Sequence, residues 1–208
     1  MICLASFNGL KYYWGNQMKK LLSIRGIHWV TSRFGWKTLQ SLSFDAKYES
    51  GDWNFTNETP TLVHLVEKYS LKGHILVLGC GAAPIASALN QNSYETFLGV
   101  DLSEEAINIA RQQTTDKIHF EIGDMVNYQC ARSYDVILFS DCLYYVPLFF
   151  RKGLLKRMSR NLTSTGRIIV VLAQPAKYET IIRMIRRNFA VEVDGVLEGS
   201  ERHVLVLR

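Results

Sequence analysis

Residues 75–101 read ILVLGCGAAPIASALNQNSYETFLGVD. A short apolar run ends in a turn at Gly79 and Gly81. A stretch of helix length follows, and a second apolar run closes on Asp101. Apolar runs bounded in this way read as buried strands, so the stretch opens a β–α–β unit. Glycine at the strand mouth permits positive φ and lets the backbone approach a ligand. The helix after it presents unpaired N–H groups. Asp101 lies 22 residues beyond Gly79, at the end of the second strand. A carboxylate there can accept both hydroxyls of a ribose.

The details narrow the ligand. In a G-x-G-x-x-G turn the third glycine would fall at position 84, which is Pro84. That weakens a redox dinucleotide site, and no G-x-x-x-x-G-K-[ST] loop occurs. A ligand with a ribose and no pyrophosphate fits better.

Outward from this unit the chain alternates. Thr59 and Pro60 read as the cap and first turn of a helix, with Leu62, Leu65, Val66 and Tyr69 on one face. Gly73 follows it. Strands are expected at Ile75–Leu78, Thr96–Val100, Lys117–Ile122, Tyr134–Phe139 and Arg167–Leu172. Helices are expected at Pro84–Leu89, Glu104–Arg111 (capped by Ser103), Pro147–Asn161 and Lys177–Asn188. Strands at Ala190–Val196 and His203–Leu207, about a turn at 198–200, complete a set of seven. Residues 123–133 read as an irregular connection.

With 208 residues and 48% hydrophobic content, the chain suits one open α/β domain with an ample core. It contains no stretch of 18 uncharged apolar residues and no pattern of a secretory peptide. Cys3, Cys80, Cys130 and Cys142 form no CxxC pair, which points away from a zinc site or a disulfide framework. Reduced thiols and a cytoplasmic location are expected. The net charge of +5 is unevenly placed. Residues 1–44 carry six basic residues and no acid, leaving −1 for the remainder. This basic, aromatic extension (1–44) reads as one or two short helices, at 17–25 and 33–42, ahead of a domain at 45–208. It suits peripheral contact with an anionic membrane, a homodimer, or plain solvation. Residues 45–57 read as a loop in which the rings of Tyr48, Trp53 and Phe55 either anchor the loop itself or let it cover a ligand.

The motifs resemble those of the class I S-adenosylmethionine-dependent methyltransferases, over roughly residues 58–208. Ile75-Leu76-Val77-Leu78-Gly79-Cys80-Gly81-Ala82-Ala83 is similar to the family's first motif. Gly99-Val100-Asp101-Leu102-Ser103 resembles the second, Gly123-Asp124-Met125 the third, and Tyr134 to Asp141 the fourth. Leu143-Tyr144-Tyr145-Val146 resembles the small-molecule branch, which includes NodS-like N-methyltransferases and enzymes of surface-polysaccharide or natural-product clusters. The resemblance implies an α/β, Rossmann-like seven-stranded sheet. Its strand order is 3-2-1-4-5-7-6, with strand 7 antiparallel and helices on both faces. It implies S-adenosyl-L-methionine as cofactor and no metal. It implies that the turn at Gly79, Cys80 and Gly81 lines the methionine moiety and that Asp101 binds the ribose. Leu102, Asp124 and Met125 would then surround the adenine, and Ser140 would offer its carbonyl to the ammonium. Two positions depart from the family: Val77 stands where an acid is usual, and Ala83 where a third glycine is usual.

Methyl transfer from a sulfonium needs alignment and exclusion of water more than acid–base power. Asp141, Tyr144 and Tyr145 follow the fourth strand and are the candidates for orienting an acceptor or taking its proton. His28 reads as a surface residue and His119 as a satisfied structural histidine. The expected reaction is methylation of a nitrogen or oxygen of a small molecule, such as a sugar or a natural-product intermediate. A protein lysine methyltransferase and a non-catalytic cofactor-binding or partner-regulating module are the alternatives. The N/D-P-P-Y/F signature of nucleic-acid base methylation is absent after Ser140, which disfavours a nucleic-acid substrate.

Overall fold

The computed structural model describes residues 40–51, 53 and 58–208. The chain divides after Trp53 into two units. In the first, residues 40–49 are helical. The loop expected from residue 45 therefore begins later. No glycine or proline interrupts 40–50, and the first break is Gly51 at φ +76°. The rings of Phe44 and Tyr48, four residues apart, each lie 5.5 Å from that of Trp53. The Lys47 ammonium sits 4.2 Å over the Trp53 ring. The helix expected at 17–25, most of that at 33–42, and His28 lie outside the described residues.

The second unit is a seven-stranded sheet in the order β3-β2-β1-β4-β5-β7-β6. The strands are β1 His74–Leu78, β2 Thr96–Asp101, β3 Ile118–Ile122, β4 Tyr134–Ser140, β5 Leu162–Leu172, β6 Val191–Val196 and β7 His203–Leu207. The first five run parallel, and β7 is antiparallel to both β5 and β6. The helices are α1 Pro60–Ser70, α2 Pro84–Ala88, α3 Glu104–Ala110, α4 Leu148–Ser159 and α5 Glu179–Asn188. The expected fold class and strand order are those observed.

Alternation along the strands divides the core between two faces. Ile75, Val77, Val136, Leu138, Ile169 and Val171 pack with Leu62 and Val66 of α1 and Ile107 of α3. Leu76, Leu78, Ile137, Phe139, Ile168 and Val170 pack with Leu154, Leu155 and Met158 of α4 and Ile181, Ile182 and Ile185 of α5. Strands covered on both sides are apolar along their buried stretch, which is why Ile75–Leu78 of β1 and Val136–Phe139 of β4 read as continuous runs.

Local expectations fare unevenly. The Ser103 hydroxyl accepts from Ala106 N at 3.1 Å and caps α3 as expected. Thr59 does not cap α1 with its side chain: its hydroxyl is buried without a hydrogen-bond partner among the described residues. Gly73 does not terminate α1 by its conformation, because the left-handed residues there are Leu71 and Lys72. It is needed for space: a Cβ at Gly73 would collide with the Asp135 carboxylate, which accepts from His74 N and Thr163 Oγ1, each at 2.8 Å. Lys72 is exposed at φ +63°. Lys72→Gly is expected to raise stability by about 1 kcal/mol, read as a higher urea midpoint at constant slope. His119 points outward from the edge strand β3 and is exposed, not a buried structural histidine. β5 starts five residues earlier than expected: it pairs Tyr134 with Leu162, then shifts register so that Val136 faces Arg167.

At the far edge, Asp194 of β6 accepts from Arg186 Nε and Nη2 (2.7 and 2.9 Å) and lies 2.8 Å from His203 Nε2. Hydrogen bonding from Arg186, then from His203, holds its carboxyl at about 2. A depressed carboxyl stabilises the fold above its unfolded value of about 3.9, and that contribution fades as pH falls through about 2. Asp194→Asn is expected to flatten the stability profile between those limits. Solvent screening keeps the effect near 1 kcal/mol or below.

Candidate functional site

The sheet order reverses between β1 and β4, and the crevice beyond their carboxyl ends is where open α/β folds hold ligands. The turn after β1, the ends of β2 and β3, and the loop after β4 all meet there.

Gly79 (φ +71°) and Cys80 both donate from N to Val100 O, at 2.8 and 3.0 Å, which ties the turn to β2. A Cβ at Gly79 would come within 2.6 Å of Cys142 Cβ and 3.0 Å of Met125 Cε. The turn is thus pressed against the β4 loop on one side and the Met125 loop on the other. Gly81 N donates to Asp101 Oδ2 at 2.8 Å, and Ser103 N donates to Asp101 Oδ1 at 2.9 Å. One carboxylate thereby fixes both turns of the crevice.

Ala83 is fully buried and left-handed at φ +56°, ψ +52°. That conformation costs an L-residue roughly 1–2 kcal/mol. The buried methyl returns about 0.8 kcal/mol, and the stiffer unfolded chain returns a further 0.4–1 kcal/mol, roughly. The two sides are comparable, so alanine is tolerated in the glycine position. Val77 is buried in the core and offers the crevice no polar atom.

Asp124 closes its own loop: Oδ1 accepts from Val126 N at 2.9 Å and Oδ2 from Asn127 Nδ2 at 2.8 Å. Gly123 N hangs the loop on Asp101 O at 2.8 Å. Arg157 of α4 clamps it from outside, with Nη2 donating to Met125 O and Val126 O at 3.3 and 2.6 Å. Gln113 Nε2 donates to Ala82 O at 3.0 Å and braces the glycine turn. Gly79, Gly81, Leu102, Asp124, Met125 and Ser140 are half-buried, as crevice-lining residues should be, while Cys80 is buried beneath the turn.

The β4 end carries a charged network. Asp141 is left-handed (φ +51°), donates from N to Val171 O at 3.0 Å, and accepts from Ala173 N through Oδ1. Asparagine and aspartate are among the few side chains that adopt this conformation readily. Arg202, from the turn between β6 and β7, donates from Nη2 to Ser140 Oγ at 2.6 Å and from Nη1 to Glu58 Oε2 at 2.7 Å. Its Nε lies 2.9 Å from Asp141 Oδ2 without the alignment of a hydrogen bond. Burial raises the Asp141 carboxyl above its ordinary value, with Arg202 pulling the other way. The Asp141 carboxylate is therefore engaged on both oxygens.

Tyr144 stacks on Tyr178, with ring centroids 4.3 Å apart and planes 4° from parallel, and lies 4.6 Å from the ring of Tyr145. Burial pushes both phenols upward, Tyr144 well beyond the usual tyrosine range. At neutral pH both stay protonated and act as hydrogen-bond groups. Burial likewise pushes the Cys80 and Cys142 thiols well up. Among the described residues no cluster of three His, Cys, Asp or Glu could hold a metal, and no helix is long and apolar enough to cross a membrane.

Residues 71–201 match the family described as "Methyltransferase domain". The chain belongs to this methyltransferase family. A curated relative, 2-heptyl-1-hydroxyquinolin-4(1H)-one methyltransferase of Mycobacteroides abscessus, is 24% identical over 134 residues. That match covers 61% of this chain and 57% of the relative. Among solved structures, the N-methyltransferase NodS of Bradyrhizobium japonicum, in complex with S-adenosyl-L-homocysteine, superimposes with a TM-score of 0.66 at 19% identity. It covers 81% of this chain and 97% of NodS. A TehB-like S-adenosylmethionine-dependent methyltransferase from Corynebacterium glutamicum gives 0.61 at 20% identity, with 81% and 97% covered.

Glu58, Gln113, Arg157 and Arg202 were not foreseen from sequence. Each acts on a partner at least 31 positions away, and no local pattern marks it.

Proposed function

We propose that this chain transfers a methyl group from S-adenosylmethionine to a nitrogen or oxygen atom of a small molecule. The observation that carries the reading is the Asp101 carboxylate. It is fixed by Gly81 N and Ser103 N at the carboxyl end of β2, where an open α/β fold places a ribose. The residues present fit that cofactor in other respects. Gly79 admits no Cβ, Leu102 and Met125 supply apolar surface for an adenine, and Asp124 supplies a carboxylate beside it. The cofactor supplies a methyl carbon already activated by the positive sulfur. The protein's part is to hold it, exclude water and orient the acceptor.

In this reading the turn at Gly79, Cys80 and Gly81 lines the amino-acid end, and the Ser140 carbonyl meets the ammonium. Tyr144 and Tyr145 form the acceptor rim as hydrogen-bond donors. Asp141 orients through its position, since both its oxygens are engaged. An amine acceptor must arrive neutral, and a hydroxyl acceptor needs to arrive acidic or lose its proton to water, because both oxygens of Asp141 are engaged. NodS is named an N-methyltransferase and the curated relative is named for a hydroxyquinolone acceptor, and both names support this reading.

Calorimetry with S-adenosylhomocysteine tests the cofactor, and absence of binding sinks the enzymatic reading. Transfer of a labelled methyl group to a panel of hydroxyquinolones, amino sugars, small amines and a lysine peptide tests the acceptor. Transfer to the peptide alone overturns the small-molecule assignment.

A further inference from the structure

Leu148, Phe149 and Phe150 open α4, and all three are exposed; Phe149 is 93% exposed. Large apolar side chains scattered singly on a surface are ordinary, but three in succession mark a place that meets something apolar. The helix they open is strongly cationic. Residues 147–160 hold Arg151, Lys152, Lys156, Arg157 and Arg160 and no acid.

These charges divide by face. Leu154, Leu155 and Met158 are buried against the sheet. Arg151 and Arg157 lean inward and donate to backbone carbonyls: Arg151 to Val146 O and Tyr144 O at 2.7 and 2.9 Å, Arg157 to the Met125 loop. The outer stripe is Phe149, Lys152, Lys156 and Arg160, at spacings of three and four. Lys152, Lys156 and Arg160 are exposed and form no ion pair among the described residues.

We propose that α4 docks this chain on an anionic lipid surface. Leu148, Phe149 and Phe150 enter the boundary between headgroups and acyl chains, and Lys152, Lys156 and Arg160 face the headgroups. An apolar end beside a cationic face is the pattern of helices that lie in a membrane interface. Charge selects this occupant over two others. A second copy in a two-fold contact would set the same cations against one another. The chain's own extension (1–44) is also wholly basic and cannot neutralise the stripe.

The position gives the contact a use. Tyr144 and Tyr145 lie a few residues before α4, and Arg151 of that helix holds the segment through Tyr144 O and Val146 O. Docking therefore brings the acceptor rim to the lipid surface, where an amphiphilic acceptor is drawn from the bilayer. That use rests on the methyl-transfer reading; the docking does not.

Co-sedimentation of the full chain with two kinds of vesicle tests it: phosphatidylcholine alone, and phosphatidylcholine containing one part in three phosphatidylglycerol. Binding to the anionic vesicles is expected, weakening with added salt. A Phe149→Ser/Lys156→Glu variant is expected to bind at least tenfold more weakly. Its unfolding midpoint should stay unchanged, because both side chains are exposed. Four results overturn the proposal: no binding to either vesicle; equal binding by the variant, which moves the contact elsewhere; a dimer in solution that the variant dissociates; or binding of an RNA oligomer that displaces the vesicles.

Discussion

Arg202→Met is expected to cost the fold about 3 kcal/mol, the lower end of the range for removing one partner of a buried ion pair. Arg202 faces two carboxylates: Glu58, whose side chain is only 8% exposed, and Asp141, at 29%. Without the guanidinium, Glu58 keeps one hydrogen bond, from Thr59 N at 3.3 Å, and Asp141 keeps that from Ala173 N. Ser140 Oγ loses its donor as well. The penalty is chiefly that of stranded buried charge, so removing the charge should return part of the loss. Arg202→Met combined with Glu58→Gln is therefore expected to be more stable than Arg202→Met alone, by about 1–2 kcal/mol. Urea unfolding of the four members of that cycle measures both quantities. A loss below 1 kcal/mol for the single variant shows that water already screens the network.

Asp101→Ala is expected to weaken binding of S-adenosylhomocysteine at least tenfold, about 1.4 kcal/mol or more. Two effects combine. The carboxylate no longer accepts from the ribose, and Gly81 N and Ser103 N lose the acceptor that fixes both turns. The second effect is structural, so the variant should also lose about 1–3 kcal/mol of stability. The parts separate with a ligand lacking the ribose hydroxyls. The native chain should bind the dideoxy analogue of S-adenosylhomocysteine more weakly than the parent, whereas the variant should barely distinguish the two. Undiminished affinity of Asp101→Ala for the parent ligand removes the ribose role.

What the sequence reveals about this fold follows the range of each signal. β1, the glycine turn and β2 are legible because their signals are local: an apolar run, glycines at a strand mouth, an acid at a strand end. The same holds for Ser103 and for the isoleucine face of α5. Thr59 carries the right residue type for a cap, but its hydroxyl was drawn into packing. The start of β5 was missed because Leu162-Thr163-Ser164-Thr165-Gly166 reads as a turn. It becomes strand only by pairing with Tyr134 before the register shifts. In the crevice, the glycine turn and Asp101 stand out as motifs, whereas the braces do not. Arg202 and Glu58 are 144 positions apart, and only the sheet order makes them neighbours.

That order has a bearing on synthesis. β7 is the last of the seven strands to be made, yet it lies inside the sheet, between β5 and β6. The left half, β3-β2-β1-β4, holds the glycine turn, Asp101 and Asp124, and every strand it needs has emerged by Ser140. The right half cannot close until β7 arrives, bringing with it the turn that carries Arg202. A nascent chain can therefore shape the glycine turn and its Asp101 brace while the network at the end of β4 is still missing its cation. The ribosome finishes the Arg202 network last.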